Sequence, residues 1–94
     1  MYGVMRVYSG AGHAAIDALL ARRQDVERIL SEIPGFRAYY LIRTADGMAA
    51  ITVCDDKAGT DRSTQAAAAF LRQELAGQFG TPPSVSEGEI ALAF

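Results

Sequence analysis

The pair Asp46-Gly47 separates two apolar runs within Phe36–Asp56, FRAYYLIRTA and MAAITVCDD. An Asp-Gly pair so placed is the strongest short-range signal for a β-hairpin. A two-residue type I′ turn at Asp46-Gly47 sets Ala45 opposite Met48. Tyr40 then opposes Val53 and Ile42 opposes Ile51. On the other face Tyr39, Leu41 and Arg43 oppose Cys54, Thr52 and Ala50. The first face is wholly apolar, and the second is apolar with polar ends. A sheet wetted on one side alternates cleanly between apolar and polar residues. This hairpin does not, so both of its faces are expected to be covered.

The remaining segments arrange themselves around it. Tyr2–Tyr8 reads as a strand, and Ser9-Gly10-Ala11-Gly12 breaks it. A helix is expected from about Ala14 to Glu32, with Ile16, Leu19, Leu20, Val26, Ile29, Leu30 and Ile33 on one stripe. Arg23–Glu27 and Arg28–Glu32 fall four apart on its solvent side. Pro34-Gly35 stops the helix. Asp55–Thr60 reads as a loop, with Thr60 or Asp61 as N-cap of a second helix from about Arg62 to Phe79. Ala66–Ala69, Phe70, Leu71, Leu75 and Phe79 supply its buried side. Gly80-Thr81-Pro82-Pro83 ends it, and Val85–Phe94 reads as a last strand. The order β-α-β-β-α-β over residues 1–94 predicts one ferredoxin-like α+β domain. Its four-stranded antiparallel sheet is expected in the order 4-1-3-2, with both helices on one face. Within it, right-handed crossovers are read as setting the first and third strands side by side and parallel.

Such an arrangement leaves one sheet face bare. Half of the residues are hydrophobic, and a chain this short buries only roughly 60–65% of its unfolded surface. The surplus apolar surface calls for a partner, and a second copy through the sheet face is the simplest cover. Net charge is −2, with basic and acidic residues interspersed, so no basic patch supports nucleic acid. Cys54 stands alone, which excludes a disulfide framework and a CxxC metal pattern. No apolar run approaches the roughly 18 residues of a membrane span, and no leader peptide is recognisable. A cytoplasmic protein with no membrane association is expected.

No single motif names a reaction. Gly10-Ala11-Gly12-His13-Ala14-Ala15 fits a loose GxGxxA, but a dinucleotide site needs a larger parallel βαβ unit. A flexible strand-to-helix turn is the plainer reading. His13 is the only histidine and lies near a helix start, where the amide dipoles favour a neutral imidazole able to act as a base. If the first and third strands are parallel, Ser9–His13 and Asp55–Thr60 share one sheet edge. Arg37, opposite Asp56, joins them there. His13, Arg37, Asp55 and Asp56 then form one polar mouth, in which a carboxylate would orient the imidazole. The alternative is strand-end charges that merely face water. One histidine with these carboxylates makes a poor metal site. Tyr8, Phe36, Tyr39 and Tyr40 are candidates to line an aromatic-binding pocket. Tyr39 and Tyr40 point to opposite faces, so only one of them can do so. Cys54, inside a strand, reads as a buried inert thiol.

The segment IPGFRAYYLIRTADGMAAITVCDD, followed by an Ala-rich helix, resembles the antibiotic biosynthesis monooxygenase-like group of the dimeric α+β barrel superfamily. The resemblance covers nearly the whole chain. It implies a homodimer formed through the sheets. The superfamily it points to includes cofactor-independent monooxygenases acting on aromatic polyketides, haem-degrading enzymes, isomerases and many members without known activity. The better-known oxygenases of that group rely on an Asn and a Trp. This chain contains neither, so haem degradation and quinone-forming oxygenation are not carried over to it. The resulting expectation is a monooxygenase-like barrel that binds a small apolar or aromatic molecule and oxidises it without a metal or organic cofactor. His13 would be the base, Arg37 would stabilise developing negative charge, and Tyr39 would pack against or hydrogen-bond the ring. The rival expectation is a non-catalytic homodimer that binds a metabolite or serves as an interaction module. A solid core between helices and sheet would favour the rival.

Overall fold

The computed structural model describes residues 1–94. Its elements run β1 (Tyr2–Ser9), α1 (His13–Leu20), α2 (Arg23–Ser31), β2 (Phe36–Thr44), β3 (Gly47–Cys54), α3 (Lys57–Glu74) and β4 (Ser84–Glu89). The strands form one sheet in the order β2-β3-β1-β4. Read from the other edge this is the expected 4-1-3-2. Every neighbouring pair is antiparallel, however, including β1 and β3. The crossover rule makes β1 parallel to β2, and the hairpin reverses the chain before β3 slots between them. Tyr2 therefore faces Cys54, and Ser9 faces Gly47.

The hairpin forms, but its turn residues are Ala45 and Asp46, with Thr44 opposite Gly47. Neither turn residue has positive φ, so the type I′ turn expected at Asp46-Gly47 is absent. Pairing slips by two residues relative to expectation: Tyr40 meets Ile51 and Ile42 meets Ala49. From Ala38 onward a two-residue slip preserves the parity of the strand, so those side chains keep their expected faces, whereas Phe36, opposite Cys54 beyond an irregularity, turns to the helix-covered face. A register irregularity between Phe36 and Ala38 leaves Arg37 without a cross-strand partner.

The first helical segment is two helices rather than one. Arg22 has non-helical backbone angles (φ −105°, ψ 23°). Its guanidinium pairs with Asp25 at 2.8 Å and Glu74 at 2.6 Å and lies over the Phe70 ring. These contacts hold the corner between α1 and α2 against the end of α3. Of the two expected surface pairs, Arg28–Glu32 forms at 4.0 Å, while Arg22 and Arg28 both engage Asp25.

The third helix starts earlier than its composition suggests, because Asp56 caps it. The Asp56 carboxylate accepts the Gly59 N–H at 3.1 Å, and a lysine, alanine and glycine form the first turn. Gly59 allows that turn to approach β3, where a Cβ would lie 2.8 Å from that of Cys54. Asp56→Ala is expected to lower stability by about 1 kcal/mol, the usual cost of losing an N-cap, visible as a lower urea midpoint at unchanged slope. The last strand stops at Glu89, opposite Tyr2, where its partner β1 begins. Ile90 N–H still donates to the Met1 carbonyl, but Ala91–Phe94 have no strand left to pair with.

The helices cover one face of the sheet. Val4, Arg6 and Tyr8 of β1 and Met48, Ala50, Thr52 and Cys54 of β3 are buried there. Ile16, Leu19, Leu30, Phe70 and Leu75 cover them from the helical layer and the turn after α3. The opposite sheet face carries Met5, Tyr40 and Ile42, all exposed, beside half-buried Val7, Ile51 and Val53. No helix is long and apolar enough to cross a membrane.

Candidate functional site

Space opens between the sheet and the helices. A narrow central pocket of about 40 Å³ is lined by Tyr8, Tyr39, Met48, Ala50, Ala66, Ala67 and Phe70, with Arg6 its only charged residue. Two wider clefts adjoin it. One, of about 470 Å³, lies between α1–α2 and β2 and shares Tyr39, Leu19, Val26 and Leu30 with the centre. The other, of about 520 Å³, lies between α3, the 76–83 turn and the β4 side, and shares Arg6, Tyr8 and Leu71. The core is therefore not solid. The small Ala66 and Ala67 side chains of α3 help to leave the central gap.

Period-two alternation in β1 places Arg6 on the inner face with Val4 and Tyr8. It is 1% exposed. Its guanidinium donates to Thr52 Oγ1 at 3.0 Å, Thr64 Oγ1 at 3.1 Å and Ser63 Oγ at 3.3 Å. Ser63 Oγ itself donates to the Thr60 carbonyl at 2.7 Å, which turns its lone pairs toward the arginine. Tyr8 and Tyr39 flank this group. Burial pushes the Tyr8 phenol up from its ordinary value, partly offset by Arg6. The Tyr39 phenol is also pushed up, by burial first and by Tyr8, against Arg6. Both therefore remain neutral hydroxyl donors at physiological pH and are poor bases. Tyr8 also meets Phe79 edge to face, with ring centroids 5.8 Å apart.

The residues expected to form one polar mouth are divided between the two ends of the sheet. Antiparallel β1 and β3 put Ser9 beside Gly47 and Tyr2 beside Cys54, roughly 20 Å apart at about 3.3 Å per residue. His13 opens α1 at the Gly47 end. There it lines a separate hollow of about 200 Å³ with Gly10–Gly12, Arg43, Thr44 and Asp46. Arg37 and Asp55 do meet, as an exposed ion pair at the Cys54 end. Asp56 is occupied as the α3 cap. Tyr39 lines the central pocket, whereas Tyr40 points to the bare face and is 59% exposed. Cys54 is fully buried, and burial followed by Asp56 and Asp55 pushes its thiol up. Lys57 bonds to Asp61 and Glu87 at 3.0 Å each, which holds its ammonium above the ordinary lysine range. No cluster of His, Cys, Asp or Glu has metal-binding geometry. Arg6 went unremarked in the sequence, although alternation with Val4 and Tyr8 marks it as inward-facing.

No family model matches the chain, and no curated protein matches it. Solved structures do. The haem degrader MhuD from Mycobacterium tuberculosis, with two haems bound in its active site, superposes with a TM-score of 0.71 at 17% identity, covering 100% of this chain and 99% of that one. The ActVA-Orf6 monooxygenase of Streptomyces coelicolor, in complex with nanaomycin D, gives 0.68 at 15% identity over 99% and 88% of the two chains. A dimeric ferredoxin-like protein from an uncultured marine organism gives 0.66 at 11%, over 99% and 94%. The chain thus shares, along its whole length, the ferredoxin-like α+β fold of these solved structures.

Proposed function

We propose that this protein is a homodimer that binds a small apolar or aromatic molecule between its sheet and its helices and oxidises it without a metal or organic cofactor. The observation that carries the reading is the central pocket, whose lining is apolar except for Arg6 and two neutral phenols. Fold likeness to a monooxygenase holding nanaomycin D supports a ligand of this class. In the oxidation, the substrate supplies the electrons to dioxygen and the protein supplies a water-poor cavity. Within one chain, His13 and Arg37 lie at opposite ends of the sheet, too far apart for one small molecule to touch both. The residues of the cavity do not fit haem: the only histidine lies away from it and offers no imidazole to an iron.

One observation favours a second reading, a metabolite-binding dimer with no reaction. The residues of the central pocket include no base, since Tyr8 and Tyr39 hold their protons. Titration with 1-naphthol, followed by native mass spectrometry and an oxygen electrode, separates the two. Binding with protein-dependent oxygen uptake supports oxidation, binding without uptake supports the metabolite binder, and absence of binding defeats both. Ala67→Leu, which fills the central gap, is expected to weaken 1-naphthol binding at least about tenfold, a loss of about 1.4 kcal/mol. Its circular dichroism spectrum should match wild type.

A further inference from the structure

Arg6 carries a positive charge that no carboxylate of its own chain neutralises. It takes part in none of the ion pairs. Its partners are three neutral hydroxyls, and its buried Nε has no hydrogen-bond partner at all. The β4 residue Glu87, which pairs with the neighbouring Val4, is bonded instead to Lys57. A buried guanidinium stays protonated, and an uncompensated buried charge is costly. Folds that retain one usually give it an anion.

The surrounding space has the shape and charge to supply that anion from outside. Arg6 lines both the central pocket and the cleft on the β4 side. Neither space has an Asp or Glu in its lining, and the cleft adds a second cation, Arg72. In a chain of net charge −2, a cation-only cleft is a local feature rather than background. The centre, about 40 Å³, is the size of a small oxyanion group rather than a ring. The adjoining cleft, about 520 Å³ with Leu71, Leu75, Phe79, Pro82 and Pro83 on its walls, has room for the ring.

We propose that the ligand is an aromatic acid, either a carboxylate or an acidic phenol. Its ionised oxygen sits in the central pocket against Arg6, and its ring lies in the cleft between α3 and the 79–83 turn. This rests on the ligand cavity of the proposed function and names the chemical class that the cavity selects. Tyr8 stands beside the same oxygen as a hydroxyl donor.

The test compares 1-naphthoate with its neutral counterpart 1-naphthamide by isothermal titration at pH 7. Wild type should prefer the naphthoate by tenfold to about a hundredfold, the range for hydrogen bonds to a charged group. Arg6→Met should abolish the preference while still binding the amide, and Arg72→Met should retain it. Equal affinities in wild type overturn the proposal while leaving the cavity reading intact. So does a preference that survives Arg6→Met, or one lost in Arg72→Met alone. Binding of neither probe overturns the cavity reading and this proposal with it. Should Arg6→Met fail to fold, 2-naphthol titrated on wild type decides the matter. The bound phenol should ionise at least about one pH unit below the free one; an unshifted spectrum overturns the assignment.

Discussion

Gly47→Ala is expected to be the most destabilising single methyl that can be added to this chain. A Cβ at Gly47 would stand 1.9 Å from the Tyr8 carbonyl oxygen, 3.1 Å from its carbonyl carbon and 3.3 Å from the Ala11 amide nitrogen. All three are backbone atoms, and none can swing aside as a side-chain tip would. Gly47 does not have positive φ, so the demand is for space and not for unusual backbone angles. Relief requires β1 and β3 to separate where Ser9 faces Gly47 and Gly10 N–H reaches the Asp46 carbonyl. Inserting bulk into a tight site typically costs 1–3 kcal/mol and occasionally more. A backbone clash belongs at the upper end, about 3 kcal/mol. For a domain of this size that lowers Tm by on the order of 10–20 °C. Gly88→Ala is the control, since nothing lies within 4 Å of a Cβ there, and its Tm should stay within a few degrees of wild type. Equal melting of the two variants would show that the Gly47 contact does not constrain the sheet.

The same contact explains where the sequence misleads about the hairpin. Asp46-Gly47 looks like the turn itself, because local statistics favour that pair at the tip. The glycine is instead the first residue of β3, kept small by a strand that arrives from far away in the chain. A local signal reports that a reversal occurs here, while a non-local packing contact decides its register. From Ala38 onward the inward and outward faces survived because a slip of two residues leaves parity unchanged, while the irregularity before Ala38 turned Phe36 inward. The direction of β3 relative to β1 follows from connectivity rather than composition. Reading it as parallel placed His13 with Asp55 and produced a site that the sheet divides. Arg6 was legible from alternation alone; its lack of an acidic partner was not, since that depends on where every carboxylate ends up. The corner at Arg22 was likewise invisible, because no glycine or proline marks it and its contacts reach Glu74 and Phe70.

Converting the bare sheet face to a charged one should turn the proposed dimer into a monomer. Tyr40, Ile42 and Met5 are 59%, 46% and 39% exposed, and they share that face with Val7, Ile51 and Val53. Exposed aromatic and aliphatic side chains in one contiguous patch are characteristic of an interface core. Leu92 and Phe94, beyond the end of β4, are also exposed and meet no strand of their own chain. A second copy related by a two-fold axis would cover the patch with itself, so each substitution acts twice. Ile42→Glu together with Tyr40→Glu would bury four carboxylates without partners, each costing several kcal/mol. The dissociation constant should rise by on the order of a thousandfold or more, since every 1.4 kcal/mol is tenfold. Sedimentation at micromolar concentration should then change from twice the 10.0 kDa chain mass to the chain mass itself. The charged pair lies on the side of the sheet away from the helices, so the variant's circular dichroism spectrum should keep its shape. A wild-type protein that sediments as a stable monomer would refute the interface, and with it the reason for so much apolar surface on this side of the sheet.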